Sequence, residues 1–136
     1  PGGQLASVAD MRGTDTRQAA GIRGESLARA ELERRGYAVT ATRYRTRFGE
    51  IDIICERGDV VVFVEVKARR SARRGTAAES IPLWKRRRIA AMALDYLAWT
   101  GRPHARCRFD VVAIDGLGTE RQTIRVIENA FEPGRW

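Results

Sequence analysis

An acid and a lysine stand at the end of an apolar stretch of the chain, Val60 to Lys67, which reads VVVFVEVK. An apolar run of this length after the turn residues Gly58 and Asp59 predicts a strand that is buried on both faces. Side chains alternate across a strand, so Glu65 and Lys67 share one face, roughly 7 Å apart along the backbone. Burying charge is costly unless the charge is paired or bound to a metal ion. The pattern therefore calls for a functional explanation.

A second acid, Asp52, lies between two isoleucines in GEIDIICE, which predicts another strand from Gly49 to Glu56. Alternation puts the side chains of this strand on two faces, with Glu50, Asp52 and Ile54 on one and Ile51 and Ile53 on the other. Aspartate is disfavoured in mid-strand, and its apolar neighbours argue against an acid on an exposed edge. The short turn ERGD predicts a hairpin, which would bring Asp52 near Glu65 if both face the same side. Sequence does not fix the register, so this point stays open.

Phosphodiester hydrolysis is the chemistry that these residue types suit. It requires a metal ion to draw charge from the phosphoryl oxygens, and Mg²⁺ prefers carboxylates, a backbone carbonyl and water. Asp52 and Glu65 would supply the carboxylates and Val66 the carbonyl, with Mn²⁺ as a substitute ion. Lys67 would orient or deprotonate the attacking water, or stabilise the transition state.

A third acid, Glu25, belongs to a helix predicted from about Arg17 to Arg35 and ended by Gly36. Ala28 and Leu32 form the apolar face of this helix, and Glu25 lies on the same face by its spacing. Such an acid either pairs locally or points into a site, where it would hold a metal-bound water or a second ion. The sequence leaves both alternatives open.

The charge balance favours an anionic polymer as partner, since the net charge is +8 and the pI is near 10.6. Of the 25 basic residues, 23 are arginine, and only Lys67 and Lys85 are lysine. The two lysines either mark places that need a compact, titratable ammonium or reflect chance. A basic loop from Arg69 to Thr76 serves either solubility or phosphate binding. The predicted contacts to nucleic acid are Arg47, Arg69, Arg70, Arg73, Arg74, Lys85 and Arg88.

The order of elements predicts an α/β fold with a mixed sheet flanked by helices, α-β-β-β-α-β-β. Residues 1–16 are predicted to be a flexible tail and residues 17–136 a single domain. The remaining elements are a helix from about Pro82 to Thr100 and strands over Tyr37 to Thr42, Cys107 to Ile114 and Gln122 to Ile127, with Arg43, Arg45 and Arg47 as a basic link after the first strand.

Other residues are assigned structural roles. Asp110 is either a further site residue or the partner of a nearby arginine, and the structural role is favoured. Tyr96 and Trp99 are expected to pack rather than stack on bases. The two cysteines are read as small core residues and His104 as a solvated loop residue, which disfavours histidine-centred catalysis. The chain shows neither a long apolar segment nor an apolar signal region, so we expect a protein of the cytoplasm without a membrane partner.

Several stretches together resemble the YraN family, an uncharacterised bacterial group of predicted endonucleases. They are GIRGESLARAELERRGY at Gly21 to Tyr37, RFGEIDII at Arg47 to Ile54, FVEVKAR at Phe63 to Arg69, the Lys85 helix and RFDVV at Arg108 to Val112. That family is similar to the archaeal Holliday-junction resolvases and to the restriction-endonuclease-like, PD-(D/E)xK superfamily. The resemblance spans about Gly21 to Phe131 and implies a restriction-endonuclease-like sheet.

The resemblance also implies an active site with Asp52 as first acid, Glu65 as second acid, Lys67 as the lysine and Glu25 from the first helix. Ile51 replaces the proline that names the superfamily. We therefore expect a Mg²⁺-dependent endonuclease acting on DNA, on branched or junction structures in repair or recombination, and by analogy a homodimer. The alternatives are a non-catalytic nucleic-acid-binding module that keeps the fold, and an RNA-associated factor.

Overall fold

The elements follow the predicted order of helix, three strands, helix and two strands, in a computed structural model that describes residues 8–71 and 81–132, with side chains from residue 21 onward. They are α1 (Val8–Arg34), β1 (Ala38–Thr46), β2 (Gly49–Arg57), β3 (Val60–Ala68), α2 (Leu83–Trp99), β4 (Arg106–Asp115) and β5 (Thr123–Ile127). The predicted α/β class is confirmed. No helix in this part of the chain is long and apolar enough to cross a membrane.

The first helix begins at Val8, well before the predicted start near Arg17. Residues 8–16, which the sequence analysis assigned to a tail, are thus helical, while residues 1–7 lie outside the described part. No proline interrupts the sequence between Val8 and Arg34, so nothing in this stretch enforces a helix boundary.

Strand β1 extends to Thr46, so the prediction of a basic link after Thr42 is wrong for Arg43 and Arg45. Only two residues connect β1 to β2, and the side chain of Thr46 closes this turn. Its Oγ1 accepts a hydrogen bond from the Phe48 N–H at 3.0 Å and donates one to the Gly49 carbonyl at 3.3 Å. Because the turn contains only two residues, both strands must continue up to it.

The five strands form one sheet in the order β1-β2-β3-β4-β5. Strands β3 and β4 are parallel, and the other three neighbouring pairs are antiparallel. A parallel pair needs a long crossover connection, which here contains α2. The mixed sheet that the sequence predicts is therefore confirmed.

Strand β3 separates two hydrophobic cores. Val61 and Phe63 pack in the core on the α2 side, whereas Val62 and Val64 pack in the core on the α1 side. All four side chains are buried, which confirms the prediction of a strand covered on both faces. Its far end is where Glu65 and Lys67 lie.

The two aromatic residues near the end of α2 differ in their environment. Tyr96 is buried and packs edge-on against Tyr44 and Phe63, as predicted. Trp99 is 77% exposed, so its predicted packing role is wrong. The buried stripe of α2 continues from Tyr96 to Leu97, and Trp99 falls beside that stripe.

The remaining structural assignments are confirmed. Cys55 is buried and Cys107 partly buried, and both are free thiols within strands. His104 is exposed between α2 and β4.

Gly24 lies at a tight contact between α1 and the end of β3. A Cβ atom added at Gly24 would lie 2.8 Å from the Ala68 Cβ and 3.8 Å from the Val66 Cγ1. Glycine thus lets the helix backbone reach the strand at the position before Glu25. The close packing of α1 on the end of β3 thus positions the Glu25 side chain.

We expect Gly24→Ala to lower the free energy of unfolding by about 1–3 kcal/mol, because the new methyl overlaps Ala68. Gly21→Ala is the matched control in the same helix, with no atom within 4 Å of the added Cβ. That control is expected to stabilise the protein by up to about 1 kcal/mol through helix propensity. Urea unfolding measures both changes, and stabilisation by both substitutions would contradict the tight α1–β3 contact.

Candidate active site

The pairing of β2 with β3 brings Asp52 to Glu65. The ladder runs from Arg57 opposite Val60 to Ile53 opposite Val64, and the next residues in this register are Asp52 and Glu65. The register that the sequence left open is therefore the one that places the two acids side by side.

The Asp52 carboxylate takes the place of a strand carbonyl. Its Oδ2 accepts a hydrogen bond from the Val66 N–H at 2.7 Å, beyond the last backbone pair between β2 and β3. The N–H and C=O of one strand residue point to the same neighbouring strand, so the Val66 carbonyl is directed to the side of Asp52. This edge of β3 thus offers oxygen atoms from both the side chain and the backbone.

Strand β2 loses its regular alternation at Asp52. Ile51 packs in the α2-side core and Ile53 in the α1-side core, so the prediction that they share a face is wrong. Arg43, which faces Asp52 across the β1–β2 pairing, has φ +52°, in the left-handed region. The left-handed backbone of Arg43 and the break in alternation therefore occur at the same level of the β1–β2 pair.

Glu65 is held by Lys85 from the first turn of α2. The Lys85 Nζ donates a hydrogen bond to the Glu65 Oε2 at 2.8 Å. The Glu65 side chain is only 11% exposed, and that of Lys85 is 32% exposed. Lys85 therefore lies in a cluster of three acids, Glu25, Asp52 and Glu65, which we call the acid cluster. Its ammonium is already paired with Glu65.

Glu25 contacts the sheet rather than its own helix. The Arg43 Nε donates a hydrogen bond to the Glu25 Oε1 at 2.8 Å, which joins α1 to β1. Glu25 thus forms an ion pair with a residue of β1 rather than with a neighbour in its own helix, and its role in a site stays a prediction. Sequence reasoning did not connect Arg43 with Glu25, because nothing in the neighbours of Arg43 marks its left-handed backbone.

Burial raises the pKa of Asp52 to about 7, and the negative charge of Glu65 adds to this effect. The hydrogen bond from Val66 opposes the rise, Glu25 adds to it, and Lys85 opposes it. Three carboxylates thus stand within electrostatic reach of one another. A cation placed beside Asp52 would favour its ionised form.

Lys67 follows on the same face of β3 as Glu65. Its neighbour on β4 is Ala113, which packs in the α2-side core. The side chain of Lys67 is partly buried at the end of the strand. The structure therefore keeps the spacing of acid and lysine that the sequence suggested.

The donor set fits Mg²⁺, which takes oxygen ligands and commonly uses one or two carboxylates together with water. Asp52, Glu65 and the Val66 carbonyl would hold the ion. Within residues 8–71 and 81–132, no group of three or more acidic, histidine or cysteine side chains is arranged as a metal site. A site of two carboxylates does not require such a group.

A cleft of about 410 Å³ opens beside this cluster, and Glu25 and Arg43 lie in its wall. The same two residues line an adjoining cleft of about 280 Å³. Of the three acids, it is Glu25 that borders this solvent-accessible space.

Comparison with known proteins identifies the family. Residues 24–114 match the sequence profile described as Uncharacterised protein family UPF0102. The chain belongs to UPF0102. This is the YraN family that the sequence resembles, and the resemblance is confirmed.

Similar UPF0102 proteins cover most of the chain. That of Symbiobacterium thermophilum is 45% identical over 82% of this chain and 94% of its own length. That of Anaeromyxobacter dehalogenans is 40% identical over 90% of this chain and 93% of its length. That of Geobacter sulfurreducens is 43% identical over 82% of this chain and 88% of its length. The matched profile encloses Glu25, Asp52, Glu65 and Lys67.

The basic residues of this UPF0102 chain that were predicted to contact nucleic acid divide into groups. Arg47, Arg70 and Arg88 are exposed. Arg73 and Arg74 lie outside the described residues. Lys85, as shown above, pairs with an acid of the cluster.

Arg69 forms an ion pair within the protein. Its Nε lies 3.2 Å from the Asp115 Oδ1, and Asp115 is only 1% exposed. The guanidinium of Arg69 thus compensates a buried charge at the end of β4. If Arg69 were released, the remaining cation near Asp115 would be Arg125, at 3.7 Å, so this ion pair contributes to the fold.

Asp110 has the structural role that the sequence analysis favoured. Its carboxylate is fully buried and accepts two hydrogen bonds from Arg108, at 2.8 and 2.9 Å. The Asn129 N–H and the Tyr37 hydroxyl donate to the same carboxylate. Asp110 therefore belongs to an ion-pair network separate from the acid cluster.

Proposed function

We propose that this UPF0102 protein is a Mg²⁺-dependent endonuclease that hydrolyses phosphodiester bonds in DNA, with branched or junction DNA in repair or recombination as its substrate. The supporting observation is the Asp52 carboxylate, which is bound to the Val66 N–H beside Glu65 and has its pKa raised to about 7. An acid in this position is poised to gain a cation.

The residues of the cluster divide the work of such a site. When bound, Mg²⁺ withdraws charge from the phosphoryl oxygens and lowers the pKa of a coordinated water. Asp52 and Glu65 hold the ion, and Glu25 orients a water by hydrogen bonding. Lys67 orients the attacking water or stabilises the negative charge that develops on the phosphate.

Lys85 acts through Glu65 as a positioning residue. Its ammonium fixes one carboxylate oxygen of Glu65 at 2.8 Å, leaving the other oxygen for the ion. Mg²⁺ demands near-ideal octahedral geometry, so a fixed carboxylate is an advantage.

The charge of the chain suits a polyanionic substrate. A net charge of +8 with exposed Arg47, Arg70 and Arg88 favours contacts to the phosphate backbone. We expect DNA binding to weaken steeply as salt increases, because bound phosphates release counterions. By analogy with resolvases, paired cuts would come from a homodimer. Sedimentation would reveal such a dimer. A protein that acts on DNA would work in the cytoplasm.

One observation favours a second candidate, a non-catalytic nucleic-acid-binding module. Two of the three acids already have protein cations as partners, Glu65 with Lys85 and Glu25 with Arg43. Such pairs would neutralise the cluster without a metal ion.

Cleavage measured beside binding separates the two candidates. Linear, flapped and four-way DNA are incubated with Mg²⁺ or Mn²⁺, using wild type, Glu65→Ala and Lys67→Ala. We expect wild type to cut at least one substrate and both variants to bind DNA but lose cleavage. Wild type that binds every DNA, cuts none and takes up no ion would support the binding module. Tighter binding of RNA than of duplex or junction DNA would point to the RNA-associated alternative.

A further inference from the structure

An exposed tryptophan carries an arginine on one face of its ring. Trp84, in the first turn of α2, is 60% exposed. The Arg88 guanidinium lies over it, with the guanidinium carbon 5.0 Å from the ring centroid. The ring is thus held by a cation on one side while most of its surface faces solvent.

A second pair of the same kind lies in the turn between β1 and β2. Phe48 is 45% exposed, and the Arg47 guanidinium carbon is 4.9 Å from its ring centroid. Arg88 also borders this turn, because a Cβ added at Gly49 would lie 3.6 Å from its Nη1. The two aromatic–arginine pairs therefore belong to one surface, which we call the aromatic–arginine patch (Arg47, Phe48, Trp84 and Arg88).

The patch flanks the acid cluster on two sides. Trp84 immediately precedes Lys85, whose ammonium binds Glu65. Gly49 precedes Asp52 by three residues of β2, roughly 10 Å along the strand. A nucleotide held on the patch would thus lie close to a phosphate at the acids.

The chemistry of the patch matches one kind of occupant. Aromatic faces interleaved with guanidinium groups bind nucleotides, the ring stacking on a base and the cation contacting the phosphate. Bases inside a duplex are stacked on one another and offer no free face, whereas an unpaired base does. A purely apolar protein partner would gain nothing from the arginine that accompanies each ring.

We propose that Trp84, supported by Arg88, is a stacking platform for an unpaired nucleobase next to the acid cluster. The preferred substrate is then DNA with a single-stranded segment at the site, as at a flap, gap or branch point. The position of the cut beside the platform rests on the proposed function, but the stacking itself does not.

Tryptophan fluorescence tests the platform without cleavage. The chain has three tryptophans, so the double variant W99F/W136F leaves Trp84 as the only one. With EDTA present, we expect an oligothymidylate of about 12 nucleotides to quench this fluorescence through stacking. An abasic strand of the same length, with the same phosphates and no bases, is expected to leave it unchanged.

Affinity measured by fluorescence anisotropy of a labelled strand gives an independent result. W84A is expected to bind the oligothymidylate about 10-fold more weakly than wild type and the abasic strand equally well. Trp84→Phe is expected to restore much of the loss, because phenylalanine also stacks. W99A, which removes the 77% exposed tryptophan at the other end of α2, is the control and is expected to change neither affinity.

Two results would overturn the platform. Equal losses on the oligothymidylate and the abasic strand would mean that Trp84 acts only through folding or charge. A shift of oligomeric state in W84A, with unchanged affinity for both strands, would mark the patch as a self-association surface. Failure of wild type to cut DNA, with quenching intact, would remove the nuclease proposal and leave the platform standing.

Discussion

Asp52→Asn is expected to give a protein that is more stable than wild type above neutral pH and that no longer cuts DNA. The asparagine carbonyl oxygen can still accept the hydrogen bond from the Val66 N–H, which is 2.7 Å long in wild type. The substitution removes the charge that burial and Glu65 disfavour. Stability and activity should therefore move in opposite directions.

The pH dependence of this effect has a definite sign. The pKa of Asp52 is raised from 3.8 to about 7 in the folded protein. Between these values the unfolded chain loses the proton that the folded protein keeps, so wild type loses stability as pH rises from about 4 to 7. The advantage of Asp52→Asn should thus be absent below about pH 4 and complete above about pH 7.

We expect the advantage at about pH 8 to be about 2 kcal/mol, roughly half of what the full shift would give, because water reaches the partly buried carboxyl. Cleavage should fall about 1,000-fold, equivalent to about 4 kcal/mol of transition-state stabilisation, because the ion loses a carboxylate ligand. Urea unfolding across this pH range and a single-turnover cleavage assay measure the two effects.

Asp59→Asn is the matched control, because the Asp59 side chain is 77% exposed in the β2–β3 turn. The stability and the cleavage activity of Asp59→Asn should both stay close to those of wild type, since exposed ion pairs contribute little to the free energy of unfolding. A destabilised Asp52→Asn protein at about pH 8 would show that the Asp52 charge is already compensated, and the argument for a cation beside it would be lost.

The sequence predicts the parts of the site that depend on one strand. VVVFVEVK determines both the burial of β3 and the shared face of Glu65 and Lys67, because alternation is a local property of strands. The element order likewise follows from local patterns, apart from the ends of α1 and β1. The β1 end was missed because the two-residue turn after Thr46 depends on side-chain contacts with Gly49.

The parts that depend on two elements could not be predicted. Whether Asp52 lies next to Glu65 depends on the register of β2 and β3. A slip of one residue would turn the two side chains to opposite faces of the sheet. The break in alternation in β2 coincides with a left-handed residue, Arg43, in a different strand. The pairing of Lys85 with Glu65 depends on how α2 docks after the crossover. A pattern within one segment carries no information about these distances.

Asp110→Asn makes the same chemical change as Asp52→Asn, but it is expected to destabilise the protein strongly. Asp110 is fully buried, and its carboxylate accepts hydrogen bonds from the Arg108 Nε, the Arg108 Nη2 and the Asn129 N–H at 2.8 to 2.9 Å. An amide group would turn an NH₂ toward donors and leave the Arg108 guanidinium, only 23% exposed, with Glu128 at 3.7 Å as its remaining carboxylate.

We expect a loss of about 3–5 kcal/mol in the free energy of unfolding, because the largely buried Arg108 guanidinium loses its closest carboxylate partner. Glu128→Gln at the exposed margin of the same network is the control, and it should cost less than about 1 kcal/mol. The double variant Arg108→Met with Asp110→Leu should recover most of the loss, since removing both charges leaves neither unpaired. Urea unfolding of wild type and these three variants measures the changes in the free energy of unfolding.

The opposite signs expected at Asp52 and Asp110 follow from what each carboxylate faces. Asp110 meets a guanidinium that matches it in geometry and charge, so the fold itself satisfies it. Asp52 meets one backbone N–H and the charges of Glu65 and Glu25, which leave it short of positive partners. If Asp110→Asn cost as little as Glu128→Gln, burial alone would not distinguish the two acids. A large loss at Asp110 with a gain at Asp52 would identify Asp52 as the acid that the fold keeps for a ligand.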